Sequence, residues 1–156
     1  MRRIILCFSV LLGVFVFTSC SKSADKCSFD ECGFRASDAE IARVQAYLST
    51  NGITTATEHC SGLYYEVVTE GTGRWINNCA TVTARYKLKL ENNVVIQEAT
   101  SQFSLNEVVA GWTIGIPLVK TGGKIKLYIP PSLGYANNPR QGIPANSMLI
   151  FDVELL

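Results

Sequence analysis

Histidine is almost absent from this chain: His59 is the one imidazole in 156 residues, which excludes any site needing two. Excess charge of either sign is missing as well, since fourteen basic residues face thirteen acidic ones and the formal net charge is +1. A nucleic-acid binder with a broad basic surface needs clustered Lys and Arg to neutralise phosphates, so no nucleic acid is expected as a partner. Five prolines and twelve glycines are too few for a collagenous or low-complexity chain. The six cysteines contain no CxxC pair. What is present is 47% apolar, 17% charged and 10% aromatic, the composition and length of one ordinary globular unit.

The first twenty residues indicate the compartment. Arg2 and Arg3 make a basic start, residues 4–17 form an apolar run, and Thr18 and Ser19 lead into Cys20. The run is shorter than the roughly 18 residues of a membrane span and has the three-part form of a secretion signal. Small residues followed directly by Cys resemble the lipobox of bacterial lipoproteins, with Phe17 departing from the usual aliphatic residue. That resemblance implies a signal peptide over residues 1–19, lipid on Cys20, and attachment to a bacterial cell-envelope membrane, outer membrane or periplasmic face. The alternative is a simple cleaved signal with Cys20 in a disulfide. Removing Arg2 and Arg3 leaves twelve basic against thirteen acidic residues, so electrostatic steering of a partner is not expected.

Four cysteines remain after Cys7 and Cys20: Cys27, Cys32, Cys60 and Cys79. An even number in an exported chain reads first as two disulfides, with three possible connectivities. Zinc held by these cysteines and His59 is the runner-up, opposed by an oxidising compartment. The expected pairing is Cys27 with Cys32, close together in a tether over residues 20–36, and Cys60 with Cys79, each just before a strand.

Ser37 and Glu40 match a capping box, and Ile41, Val44 and Leu48 follow at helical spacing until Asn51 and Gly52 supply a left-handed stop. This predicts one short helix packed on its own domain, within a connecting region of residues 37–62. The rest reads as strands and turns. Residues 63–69 and 80–90 are strands; in the second, Val82, Ala84, Tyr86, Leu88 and Leu90 share one face, with Thr83, Arg85, Lys87 and Lys89 on a wet outer face. Asn92 and Asn93 turn the chain into a short strand at residues 94–96. Residues 124–129 and 148–156 alternate again. Between them, residues 131–147 form a loop rich in Pro, Gly and Asn, long enough to be functional. Residues 106–121 hold the one further helix candidate, weakened by Gly111 and Gly115 and cut by Pro117. The fold class is α+β: an antiparallel sheet of about five strands, apolar on one side, with a short helix against it.

From Val108 the motifs become specific. Val108, Val109, Ala110, Gly111 and Trp112 lead to a basic–apolar strand ending in Ile129, Pro130 and Pro131; then come Gly134 and Tyr135, Ile143 and Pro144, and a close through Phe151, Asp152, Val153, Glu154 and Leu155. In this order the chain resembles the FKBP-type peptidyl-prolyl cis–trans isomerases, most closely over residues 78–156 within a domain of residues 63–156. The resemblance implies a twisted antiparallel sheet wrapped round a short helix, monomeric, acting without cofactor or metal on proline-containing client chains.

It also implies roles residue by residue. Trp112 resembles the floor beneath the proline ring, and Phe103, Val108, Val109, Ile143 and Phe151 resemble walls, with Tyr86. Tyr135 resembles a phenol that donates to a substrate carbonyl, and the Val109 N–H a second donor. After the Asn93 turn the family places Phe and Asp where this chain has Ile96 and Gln97: a wall without a ring, and an amide still able to bond Tyr86 without the charge. Slower turnover is expected from that pair, which also keeps open a binding module or chaperone for proline-containing segments with little turnover. A purely structural surface lipoprotein, with no use for an open aromatic pocket, is a third reading.

Overall fold

The protein is described from a computed structural model over residues 27–156; the signal peptide and Cys20 lie outside the described residues. Chain order runs α1 (Asp38–Thr50), β1 (Thr57–Glu58), β2 (Tyr64–Thr69), β3 (Thr81–Leu90), β4 (Val95–Ser104), α2 (Ala110–Gly115), a 3₁₀ turn (Ile116–Leu118), β5 (Lys124–Ile129), a second 3₁₀ turn (Pro131–Leu133) and β6 (Leu149–Leu155). The strands form one antiparallel sheet in the order β1-β2-β5-β6-β3-β4. The sixth strand, beyond the five expected, is the two-residue β1.

One face of the sheet carries the main core. Val82, Ala84, Tyr86, Leu88 and Leu90 of β3 point into it with Ile125, Leu127 and Ile129 of β5 and Leu149, Phe151, Val153 and Leu155 of β6. Helix α2 crosses this face. A Cβ added at Gly111 would stand 2.6 Å from the Ile129 side chain, and one at Gly115 2.5 Å from Leu127. The two glycines that lower helix propensity are therefore what lets α2 lie directly against β5.

The other face is not uniformly wet, as a sheet apolar on one side would have it. Ile41, Val44 and Leu48 of α1 cover Tyr64, Tyr128, Met148 and Ile150, making a second, smaller core. The capping box forms as expected: Glu40 N–H donates to the Ser37 hydroxyl at 3.3 Å while the Glu40 carboxylate accepts from Ser37 N–H at 3.1 Å. Gly52, at φ +66, follows the helix. Beyond α1 the outer face is charged, with Arg85 paired to Glu154, Lys87 to Glu98 and Lys89 to Asp152 at 2.9, 3.2 and 2.9 Å.

Strand β4 is ten residues long, not three, pairing with β3 from Val95 to Ser104. As an edge strand it exposes most of its side chains on both faces, so no apolar alternation marks it. The disulfides join Cys27 to Cys79 and Cys32 to Cys60, with Cα atoms 5.8 and 5.5 Å apart. Residues 27–36 are consequently no free tether. They lie along the domain, where Ala36 N–H donates to Ser61 O and Arg35 bonds Cys60 O and Glu58. A turn at residues 31–34 sends the two cysteines to different loops. The zinc alternative fails with them: His59, Cys32 and Cys60 do cluster, but both sulfurs are already bonded to each other.

Candidate active site

A cavity of about 610 Å³ opens between the main-core face of the sheet, α2 and the loop that follows β5. Trp112, the third residue of α2, where Gly111 brings the helix onto the sheet, is buried at 3% exposure. Its ring stands edge-to-face with three others: Phe103 from β4 at 5.0 Å between centroids, Phe151 from β6 at 5.3 Å and Tyr86 from β3 at 5.4 Å. Tyr86 meets Phe103 at 5.6 Å. Such contacts set the positive ring edge against the negative face of its neighbour and hold four rings rigidly. Among the described residues the buried Trp112 N–H has no hydrogen-bond partner.

Eight of the ten residues expected at the site line this cavity: Tyr86, Gln97, Phe103 and Trp112, then Val108, Val109, Tyr135 and Phe151. Two do not. Ile143 is buried in the main core and Ile96 packs at its margin, and neither is among the lining residues. The half-buried Ile96 sits where the β3–β4 register shifts, near Gly142. Among the described residues no hydrogen bond joins Gln97 to Tyr86, although strand pairing sets Gln97 opposite Leu88, two positions along from Tyr86. Burial, with the Tyr135 phenol nearby, pushes the Tyr86 hydroxyl above its ordinary value and keeps it a neutral donor.

Val109 is the N-cap of α2, so its N–H lies outside the intrahelical ladder. Tyr135 stands half-buried on the opposite rim. The rim also holds groups that sequence reasoning missed. Glu107, Asn138 and Arg140 reach it, and the Arg140 guanidinium lies 5.3 Å over the Tyr135 ring. No periodicity or motif marked these residues, because they sit in irregular segments. For Asn138 and Arg140 the signal available was only their place in a loop too long to be a mere connection, and Glu107, just ahead of α2, carried none.

The chemistry this arrangement supports is non-covalent. It offers a buried aromatic floor, hydroxyl and amide donors at its edge, and two opposite charges at its mouth. No nucleophile paired with a base stands among the lining residues.

Comparison with known proteins agrees. The sequence matches the model of the family FKBP-type peptidyl-prolyl cis-trans isomerase over residues 73–156. It is 41% identical over 118 residues to the FKBP-type peptidyl-prolyl cis-trans isomerase FkpA of Escherichia coli strain K12, covering 72% of this chain and 42% of that protein. A probable FKBP-type peptidyl-prolyl cis-trans isomerase of Haemophilus influenzae is 43% identical over 102 residues, 62% of this chain and 42% of the relative. The crystal structure of FkpA from Escherichia coli aligns with a TM-score of 0.68 at 36% identity, over 76% of this chain and 58% of that one. This chain thus spans less than half the length of these curated relatives.

Proposed function

The chain belongs to the FKBP-type peptidyl-prolyl cis-trans isomerases, and from that membership we propose that it accelerates rotation about X–Pro bonds in exported polypeptides. The observation that carries the reading is the four-ring box around Trp112. Rotation must cross a barrier of about 18–20 kcal/mol that amide resonance creates. Twisting the bond removes resonance and with it charge separation, so a dry apolar floor favours the twisted amide over the planar one. In this reading the proline ring rests on Trp112 between Phe103 and Phe151. The Tyr135 hydroxyl and the Val109 N–H donate to flanking carbonyls, and Tyr86 closes the wall.

The test is the exchange rate of a short X–Pro peptide with an apolar residue before proline, measured with the purified protein. Clear acceleration supports turnover. A second reading, a binding module with little turnover, is favoured by Gln97, which lines the cavity without holding Tyr86. Gln97→Asp distinguishes them: under the first reading it maintains or raises a rate already present, whereas under the second it creates one.

Lipid on Cys20 and attachment to an envelope membrane are supported by the basic–apolar–small–Cys order. The two disulfides, which belong to oxidising compartments, support export. Cys20→Ala should leave unprocessed precursor or release the protein from membranes; unchanged processing and partitioning would remove the lipid from the account.

A further inference from the structure

We infer that α1 is a positioning element of the site, clamping both ends of the loop that carries Tyr135 through Glu40 and Arg43. The inference rests on the isomerase reading for its functional meaning and on hydrogen bonds for its geometry. The loop of residues 131–147 contributes Tyr135, Ala136, Asn138 and Arg140 to the cavity, yet it has no strand or long helix to hold it. At its start, the Glu40 carboxylate accepts from the Ser132 N–H at 2.8 Å and from the Ser132 hydroxyl at 2.9 Å, across 92 residues of sequence. At its end, the Arg43 guanidinium donates to Asn146 O at 2.8 Å. Arg43 is itself fixed by a two-pronged pair with Glu91, just past β3, at 2.9 and 2.5 Å. Three residues apart, Glu40 and Arg43 share one face of α1.

Both clamp points lie one step from the residue after Tyr135. Ala136 N–H donates to Pro131 O at 2.8 Å, next to Ser132, and Ala136 O accepts from Asn146 N–H at 2.7 Å. Ala136 and Asn146 hold positive φ values of +50 and +57, a conformation that non-glycine residues keep only where their surroundings impose it. Glu40 is therefore more than a helix cap. The hydrogen bonds from Ser132 and Ser37 outweigh its burial and hold its carboxyl below the ordinary value, so it is ionised at neutral pH. A charged acceptor strengthens each of these bonds. Catalysis by placement depends on such supports, since a displacement of an ångström is costly.

The experiment compares amide hydrogen exchange and peptide isomerisation in the purified protein and in Glu40→Ala, Arg43→Ala, Glu40→Gln and Ser37→Ala. Ser37→Ala weakens the helix start and removes one hydroxyl donor to Glu40, but it leaves the Ser37 N–H and both Ser132 contacts on that carboxylate, so it reports the cap rather than the clamp. Glu40→Ala and Arg43→Ala should accelerate exchange at Ala136 and Asn146 and lower kcat/KM by about tenfold, the order that one misplaced hydrogen bond costs. Glu40→Gln, which keeps one acceptor oxygen, should fall between, and Ser37→Ala should lower Tm with kcat/KM unchanged at matched folded concentration. Unchanged protection at Ala136 and Asn146 in folded Glu40→Gln and Arg43→Ala overturns the clamp. Lost protection with unchanged kcat/KM overturns its positioning role. If the unmodified protein gives no acceleration, the isomerase reading fails by itself, and the loop amides still decide whether the clamp exists.

Discussion

The two faces of the sheet use tyrosine in opposite ways. Beneath α1, Tyr128 is 1% exposed and its hydroxyl donates to Glu66 at 2.5 Å; Tyr64 on the same face donates to Glu58 and accepts from Gln45, each at 2.7 Å. Beneath α2, Tyr86 and Trp112 are almost as buried, yet Tyr86 looks into an open cavity and the Trp112 N–H has no partner. Burial without satisfaction is costly in a face that serves only to hold a fold together. The α1 face closes its tyrosine hydrogen bonds within the fold, whereas the α2 face, which carries the larger core, also presents Tyr86 to the cavity.

Removing the floor tests that contrast hardest. Trp112→Ala should cost about 3–5 kcal/mol in stability, as large aromatic truncations do, and should abolish most isomerisation; denaturant titration beside peptide kinetics checks both. Surviving activity at matched folded concentration would erase the functional distinction between the faces.

Reduction of the two disulfides comes next. Their loops span 52 and 28 residues, and chain-entropy reasoning gives about 3–4 kcal/mol for each. Reduced protein should melt much earlier, while turnover below the melting range stays constant, because neither bridge touches the cavity. Peptide mapping without reduction should recover Cys27 with Cys79 and Cys32 with Cys60.

A matched pair of hydroxyl deletions sharpens the comparison. Tyr128→Phe should destabilise by about 1–2 kcal/mol, leaving a lone pair of Glu66 unfilled, with kcat/KM intact. Tyr135→Phe should do the reverse: little change in Tm, and a loss of about 0.5–1.5 kcal/mol in transition-state stabilisation, up to roughly tenfold in rate. Parallel losses in both variants would break the division.

The smallest effect is acid sensitivity of the α1 face. Glu58 is held below its ordinary value chiefly by the hydrogen bond from Tyr64; at Glu40 and Glu66 burial opposes, but hydrogen bonds from neighbouring hydroxyls prevail. Each carboxyl has a lower value folded than unfolded. Its contribution is therefore complete above the unfolded value near 4.5 and is lost as pH falls further through the folded value. Thermal melts from pH 7 to pH 3 should show a plateau followed by a fall, and Glu66→Gln should flatten part of it.

Much of this was legible in the chain itself. Strands β3, β5 and β6 announce their buried faces by strict alternation, and Ser37 with Glu40 announces the start of α1. Strand β4 is silent because an edge strand needs no apolar face. Gly111 and Gly115 read as helix weaknesses, since propensity is local and the closeness of β5 is not. The cysteine pairing misled because nearness in sequence says nothing about which loops a turn faces. At the site, Trp112 and Tyr135 are marked by their motifs, whereas Arg140 and Glu107 reach the rim through loop geometry that no pattern encodes. Ile143 is marked by its motif as well, and it lies in the same core as Trp112 and Phe151 without reaching the cavity lining.

The Cys27–Cys79 bridge also decides how the molecule carries a mechanical load. Tension entering the domain from the N-terminal side arrives at Cys27, and the shortest covalent route onward crosses the sulfur bridge to Cys79, two residues before β3. The intervening 51 residues, with α1, β1 and β2 among them, are bypassed. A pull on that end is delivered to the head of the long strand β3, paired on both sides, and reaches α1 only indirectly, so the helix can remain seated while the chain ahead of it is taut.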